Sequence, residues 1–361
     1  MRVSFVLNTH IPRSPRPWAY EALYNCYIPL FSEIKDYPIT IALSPQLIYE
    51  YFSPNFKINA NRFYEKIIKQ CEMIENNRLR NYYIDYYREQ HNKLIKLGYD
   101  IRKIFFSNQW EYLAYPSTHC VFPLVTEKLI NFFIERGELA ITECFGTRKF
   151  NSIWLPEMAF EDGANGEFEI CAKRYRYLLV SSVAVKKHGT YNQIYKDEST
   201  GMIILVRNNN SQQYIWGDKC KIAGLPDFRE TYSSDKYGNK IYRIGGGLYY
   251  PEDAINILDE CVEEIYSKIV SEQGECCNLI FDTEYFGHHW WEGKYFLPKL
   301  LKKLGGIVKT CLDITSTEQH YPNLSRNFCG YYHSMHTKHH IWQHQQEFSP
   351  SPKSFHLPSY D

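Results

Sequence analysis

The chain alternates between short apolar runs and longer stretches in which apolar residues recur at helical spacing. The runs predict buried strands, at residues 3–7, 39–43, 110–114, 139–142, 153–155, 177–181, 201–206 and 279–281. The longer stretches predict helices, at residues 18–34, 45–51, 252–270 and 295–304. Alternation of this kind predicts an α/β fold with a mainly parallel sheet. Functional loops are then expected at the carboxyl ends of the strands.

Two regions depart from this alternation. Residues 62–97 are charged, polar and aromatic without Gly or Pro, which predicts a long helix or helical hairpin, interpreted as a solvated insertion at about residues 60–98. Residues 316–361 hold seven of the chain's 13 His and four of its 17 Pro, but few aliphatic side chains. We therefore predict a catalytic domain over residues 1–315, followed by a divergent and poorly ordered His-rich tail over residues 316–361.

Composition narrows the classes of function. The 41 basic and 41 acidic side chains give a formal net charge of zero, which argues against nucleic acid as a partner. The 11 Cys are scattered, as in reduced cytosolic proteins, and no run approaches the roughly 20 apolar residues that span a membrane. The amino terminus enters a predicted strand directly, so no signal peptide is expected. We predict a cytoplasmic monomer or dimer, without a membrane partner, a cofactor or a metal site.

Two segments place a carboxylate near tryptophan, directly after an apolar run. They are Ile153–Phe160, with Glu157, and Phe281–Gly293, with Asp282. Retaining cleavage of a glycosidic bond uses such a pair, because one carboxylate attacks the anomeric carbon while the other, protonated, assists the leaving oxygen. Apolar walls would raise the pKa of the acid, and hydrogen-bond donors would keep the nucleophile ionised. Candidates for the walls are Trp154, Trp290 and Trp291, and candidates for the donors are His10, His119 and His288.

The order of motifs along the chain resembles glycoside hydrolase family 57, and within it the 1,4-α-glucan branching enzymes. The similarity covers residues 3–314 and rests on residues 7–12 with the helix after them, 117–124, 153–160, 214–217 with 227–230, and 281–293. The resemblance implies a distorted (β/α)7 barrel that acts on α-glucan with retention of configuration. It implies that Glu157 is the nucleophile and Asp282 the general acid/base, and that His10, His119 and Trp216 line the sugar-binding cleft.

The sequence also departs from the family pattern. Asn8 stands where the family has the first His of its opening motif. The helical domain that follows the barrel in branching enzymes is predicted to be missing or reduced, and residues 186–195 are short for a lid. Glu284 and Glu292 are local alternatives for the acid role, which we rank as supporting groups.

The resemblance to branching enzymes implies a retaining enzyme that transfers α-glucan chains to form α-1,6 branches. Two alternatives stay open: an amylase-like α-glucan hydrolase, and a glycan-binding remnant of the family with weak turnover. A metal-dependent barrel of the deacetylase or mannosidase type is disfavoured, since the sequence offers His10 and His119 but no tight ligand spacing. A nucleotide-binding loop is also disfavoured, because Gly245–Gly247 lacks the spaced glycines of phosphate cradles.

Overall fold

The computed structural model describes residues 1–11, 16–146, 149–161, 166–185, 190–216, 228–230, 232–316, 321–324 and 329–330. The strands are β1 (Arg2–Thr9), β2 (Thr40–Leu43), β3 (Glu111–Leu113), β4 (Phe160–Glu161), β5 (Tyr177–Val180), β6 (Ile194–Asp197), β7 (Ile203–Val206), β8 (Cys276–Asp282), β9 (Asn323–Leu324) and β10 (Cys329–Gly330). The α-helices are α1 (Arg16–Ala22), α2 (Ile28–Glu33), α3 (Pro45–Tyr51), α4 (Phe56–Glu72), α5 (Asn77–Lys96), α6 (Glu127–Phe145), α7 (Glu167–Arg174), α8 (Asn209–Ile215), α9 (Pro251–Asn256), α10 (Leu258–Ser271), α11 (Gly293–Leu304) and α12 (Cys311–Thr315).

Parallel segments of the described chain close into a barrel. One sheet runs in the order β3-β2-β1-β8, and β5 pairs in parallel with β7. The gap between β3 and β5 is filled by a short segment. In it, Ile153 forms a parallel bridge to Ala114, and the backbone carbonyl of Asn151 accepts the N–H groups of Arg176 and Tyr177, where β5 begins. A parallel bridge between Arg207 and Asn278 joins β7 to β8 and completes the ring. The ring confirms the predicted (β/α)7-type fold.

The distortion of the barrel has a local cause. β6 is antiparallel to β7, and the carbonyl of Asn192, just before β6, accepts the N–H groups that begin β8. β6 therefore lies between the amino ends of β7 and β8. These two barrel strands meet only further along, at the bridge between Arg207 and Asn278. The sequence analysis did not predict β6. The strand has only four residues, and it lies in a region, residues 189–210, in which Gly and Asn are frequent and indicate loops.

Strand β1 is the centre of the sheet, and its composition explains its place. It is paired in parallel on both sides, with β2 and β8, and its residues from Val3 onward are buried. A strand covered on both faces needs a continuous apolar run rather than alternation. The register pairs Asn8 with Asp282, so β1 and β8 end side by side at the carboxyl end of the barrel.

Residues 56–96 form a helical hairpin, α4 and α5, rather than one long helix. The interpretation as a solvated insertion is wrong for the inner face of α5, where Leu79, Tyr83, Tyr86, Tyr87 and Leu94 are buried. Tyrosine suits this position, since the ring packs while the hydroxyl reaches a backbone acceptor. The Tyr86 hydroxyl, for example, donates to the carbonyl of Tyr24 at 2.9 Å.

Residues 139–142 are helical, so the strand predicted there is wrong. The short run belongs to α6, whose buried residues Ile130, Ile134, Gly137 and Ile141 recur at helical spacing over a longer window. The helix predicted at 252–270 is broken at Ile257 into α9 and α10. Most of the predicted tail, together with residues 186–189, lies outside the described residues, which contain no helix long and apolar enough to cross a membrane.

Candidate active site

The predicted acidic residues lie at the carboxyl ends of the barrel strands. Asp282 is the last residue of β8, opposite Asn8 in register. Tyr115 follows the bridge residue that ends the β3 segment, and Glu157 comes four residues after Ile153, whose bridge extends the sheet. Because the carboxyl ends of parallel strands meet at one edge, these side chains share the face at which barrel enzymes carry their active sites.

Glu157 has an unusual backbone conformation. Its φ and ψ are 59° and 13°, and φ of the next residue, Met158, is 48°, inside a 3-10 turn from Pro156 to Met158. Left-handed conformations of non-glycine residues cost on the order of 1 kcal/mol each and cluster at functional sites. Pro156 and Met158 are buried, whereas the Glu157 side chain is 40% exposed. The turn therefore directs the carboxylate out of the core.

A hydrogen-bond chain fixes the Glu157 carboxylate. The Tyr115 hydroxyl lies 3.0 Å from Nδ1 of His119, and Nε2 of His119 lies 3.2 Å from Oε1 of Glu157. The arrangement favours the tautomer in which Nε2–H donates to the carboxylate and Nδ1 accepts from the phenol. The His10 ring stacks on His119, with centroids 4.3 Å apart. Burial, assisted by His119, lowers the pKa of His10 to about 3, so this imidazole is neutral.

Asp282 has a partner on the neighbouring strand. Nδ2 of Asn8 donates to Oδ1 of Asp282 at 2.8 Å. The residue that departs from the family motif therefore orients the predicted acid/base through an amide, which does not itself titrate. The adjacent Thr283 hydroxyl donates to the carbonyl of Asn8 at 3.1 Å, which ties the two strand ends together.

Glu284 is a second carboxyl group beside Asp282. Its Oε1 accepts hydrogen bonds from the Tyr27 hydroxyl and, at 3.2 Å, from the backbone N–H of His10. Burial raises the pKa of Glu284 to about 8, and the charge of Asp282 adds to this effect. Glu284 is thus neutral near pH 7, and its rank as a supporting group stays a prediction.

Tyr115 connects the two halves of the site. Its phenol is buried, and burial is the main cause of its raised pKa, followed by the charges of Asp282, Glu157 and Glu284. Carboxylates act on the pKa of a side chain in this way only from nearby positions. The two acidic segments, remote in sequence, therefore both lie close enough to Tyr115 to affect its phenol. Sequence reasoning missed Tyr115, although its place at the end of a predicted strand was a usable signal.

Comparison with known proteins identifies the family. The family model described as glycosyl hydrolase family 57 matches residues 4–325. The chain belongs to this family. The match confirms the resemblance of the motifs, and the polypeptide is accordingly a member of a glycoside hydrolase family.

Relatives within family 57 include branching enzymes. A 1,4-alpha-glucan branching enzyme of Thermococcus kodakarensis is 24% identical, over 84% of this chain and 55% of its own length. A probable 1,4-alpha-glucan branching enzyme of Mycobacterium tuberculosis is 26% identical, over 54% of this chain and 39% of its own length. The chain thus spans only about half the length of these relatives or less.

Solved structures share the fold. The branching enzyme of Pyrococcus horikoshii matches with a TM-score of 0.83 at 22% identity, covering 94% of this chain and 74% of its own. The alpha-amylase AmyC of Thermotoga maritima matches with a TM-score of 0.78 at 19% identity, covering 96% of this chain and 80% of its own. At these identities the likeness establishes the barrel and not the reaction.

The four tryptophans predicted for the substrate site fall into two groups. Trp154, Trp290 and Trp291 are 1%, 4% and 0% exposed, so they are core residues and offer little open surface to a sugar. Trp216 is partly exposed and stacks on Tyr285, with ring centroids 5.2 Å apart. Its neighbour in the motif, Gly217, lies outside the described residues, as does Asp227.

His288 is placed differently from His10 and His119. It is 3% exposed, its ring meets the edge of Trp18 at 5.0 Å, and its Nδ1 lies 3.8 Å from Oε1 of Glu21. Burial lowers the pKa of His288 to about 2, so it is a neutral, packed imidazole. The contacts of His10 and His119 join them to the Glu157 and Glu284 carboxyl groups, whereas those of His288 lead toward α1.

Proposed function

We propose that the chain is a retaining α-glucan-active enzyme, with Glu157 as nucleophile and Asp282 as general acid/base, and that it transfers glucan chains to form α-1,6 branches. The single observation that carries the proposal is that both carboxyl groups lie at the carboxyl end of the barrel, where His119 contacts Glu157 and Asn8 donates to Asp282. Membership of glycosyl hydrolase family 57 supports the substrate class, and the similarity to branching enzymes supports transfer.

The first step breaks the glycosidic bond. The Glu157 carboxylate attacks the anomeric carbon, a C–O ester bond forms, and the departing oxygen takes the proton of Asp282. His119 donates to the attacking carboxylate, which favours its ionised form and fixes its direction. Asn8 fixes Asp282, and the neutral Glu284 adds no second charge beside it.

The second step reverses the roles. Asp282, now ionised, takes the proton of an acceptor hydroxyl, whose oxygen attacks the anomeric carbon while the Glu157 carboxylate leaves. When the acceptor is the 6-hydroxyl of another glucan, the product is an α-1,6 branch; when it is water, the result is hydrolysis. The two reactions therefore share every group named here and differ only in the acceptor.

Incubation with amylose separates the possibilities. We expect α-1,6 linkages, measured as chains released by a debranching enzyme, to increase while reducing ends stay nearly constant. Reducing ends without new linkages would contradict branching and assign hydrolysis. Glu157→Gln is the matched inactive control, and a wild type no more active than this variant would contradict the enzymatic proposal altogether.

A further inference from the structure

Helix α8 lies alongside β8 and runs in the same direction. It begins directly after the bridge that joins β7 to the first part of β8. Further along, the N–H of Ile280 donates to Oε1 of Gln212 at 3.2 Å, and the Tyr285 hydroxyl donates to the carbonyl of Ile215 at 2.6 Å. Because these contacts follow the same order in both elements, α8 ends beside the carboxyl end of β8, where Asp282 lies.

Trp216 is the first residue after α8, and its ring has a support on the protein side. Its backbone leaves the helix in an extended conformation, with φ −141° and ψ 106°, while its N–H still donates to the carbonyl of Gln212 at 2.7 Å. The indole stacks on the Tyr285 ring at an angle of 19° between the planes, and the residue remains partly exposed. A flat, supported and partly open ring at this end of a barrel is the kind of surface on which the apolar face of a pyranose packs.

Tyr285 holds Trp216 by two different contacts. Its ring supports the indole, and its hydroxyl binds the carbonyl of Ile215, the residue directly before Trp216 in the chain. Tyr285 itself is 7% exposed and packs on Phe286 and Trp290, with ring centroids 5.4 and 5.7 Å away. So little accessible surface leaves Tyr285 no broad contact with a substrate, and its influence on one must pass through Trp216.

The same turn connects Tyr285 to the predicted acid/base. Asp282 ends β8, and the 3-10 turn Thr283–Tyr285 follows at once. The first residue of the turn is tied to β1, because its hydroxyl donates to the carbonyl of Asn8 at 3.1 Å. The last residue of the turn carries the ring that supports Trp216. One three-residue turn therefore sets the position of Trp216 relative to Asp282.

We propose that Tyr285 is a positioning residue, which holds the Trp216 indole in place so that a glucose unit packed on it presents its glycosidic oxygen to Asp282. This role rests on the proposed function, because it takes α-glucan as the ligand and Asp282 as the acid/base. Tyr285 acts only through Trp216, so the effects of changing the two residues are not additive.

The test is calorimetric titration of the full chain with maltoheptaose, carried out on Glu157→Gln so that the ligand is not consumed. We expect saturable binding. Adding Trp216→Ala should weaken it roughly tenfold, since one ring contact is lost. Adding Tyr285→Leu, which removes the stacked ring, should weaken it by a similar factor. Tyr285→Phe keeps the ring, loses the bond to the Ile215 carbonyl, and should weaken binding about threefold.

The decisive comparison places the Tyr285 variants in the Trp216→Ala background. There, Tyr285→Leu should change the dissociation constant by less than about twofold, because the platform that it supports is already gone. A merely structural role would weaken binding equally in both backgrounds. Tyr112→Leu is the matched control, since Tyr112 is 5% exposed and its hydroxyl donates to the carbonyl of Phe105 at 2.9 Å. It should lower the melting temperature and leave the dissociation constant unchanged.

Thermal melts report the folding of every variant, and Tyr285→Phe takes the place of Tyr285→Leu in both backgrounds if the latter does not fold. Equal weakening in both backgrounds, folded Tyr285 variants that bind like their parent, or no saturable binding of maltoheptaose would overturn the proposal. Turnover of amylose by the unmodified chain tests the proposed function separately. Non-additive binding by a chain that does not turn over amylose would contradict the chemistry but support the positioning of Trp216 by Tyr285.

Discussion

The two ends of the barrel each carry a carboxyl group, but one is buried and the other is partly exposed. At the amino end, Glu111 is 8% exposed, and its oxygens accept from the Tyr177 hydroxyl at 2.7 Å, the Thr40 hydroxyl at 2.9 Å and the N–H of Leu312 at 2.9 Å. At the carboxyl end, Glu157 is 40% exposed, carries a left-handed backbone and faces an imidazole.

The difference is the one expected if the amino end serves stability and the carboxyl end serves the proposed chemistry. Glu111 joins β2, β3, β5 and α12, so its hydrogen bonds tie together elements that are far apart in sequence. The site around Glu157 retains backbone strain and an exposed oxygen, which stability alone does not favour. In (β/α) barrels generally, the amino end carries stability and the carboxyl end carries function.

The sharpest test of this contrast is Glu157→Gln. We expect kcat on amylose to fall by roughly 10³-fold or more, because the amide is a poor nucleophile. The melting temperature should shift by no more than about 2 °C, since the side chain is partly exposed and the new one has the same shape. Kinetics and thermal melts check both. A variant that keeps more than a tenth of the activity would contradict the assignment.

Gly137→Ala should destabilise the barrel near the site. A Cβ on Gly137 would lie 1.7 Å from the backbone carbonyl oxygen of Tyr115, so α6 must move away. We expect a loss on the order of 3 kcal/mol in the free energy of unfolding, together with reduced activity as Tyr115 shifts. Gly306→Ala is the control, because nothing lies within 4 Å of its Cβ. Equal urea midpoints for the two variants would count against this packing.

Glu111→Gln should change the pH dependence of stability. Burial raises the pKa of Glu111 to about 7, so its contribution is complete below its ordinary value of 4.5 and is lost as pH rises through about 7. The amide does not titrate. Relative to wild type, the variant should therefore gain on the order of 2 kcal/mol between pH 5 and pH 8. Urea unfolding at both pH values measures this, and a difference independent of pH would refute it.

The smallest effect is expected on the outer surface, away from both ends. Lys299 pairs with Asp259 at 2.6 Å across α10 and α11, but the two side chains are 40% and 77% exposed. Lys299→Met should change the free energy of unfolding by less than about 0.5 kcal/mol, since solvent and salt screen such pairs. A loss above 1 kcal/mol at 0.15 M salt would show that surface ion pairs contribute as much as the amino-end cluster.

The sequence predicted the parts of the fold that local pattern determines. β1 and β8 are continuous apolar runs, and the segments with Glu157 and Asp282 were found because tryptophan and acid follow such runs. The strand at 139–142 was wrong because four residues cannot distinguish a strand from one face of a helix. Tyr115 and the amide contact of Asn8 were missed because they depend on side chains that meet only after folding.

The roles of the tryptophans could not be read from the chain for a related reason. A tryptophan that is close to a carboxylate in sequence can either line a cleft or fill the core, and the sequence does not distinguish the two. Trp154, Trp290 and Trp291 are core residues. Only Trp216 of the predicted set is partly exposed. The barrel topology was predictable from the family resemblance, whereas the wedge of β6 between β7 and β8 was not.

The most direct measurement is to trap the intermediate. Asp282→Asn should still be glycosylated by an activated donor such as α-maltosyl fluoride, because fluoride leaves without a proton, but the ester should persist because no base activates the acceptor. Peptide mapping by mass spectrometry is predicted to find the maltosyl group on Glu157. A maltosyl group on any other residue, or no adduct from a chain whose wild type turns over amylose, would contradict the account.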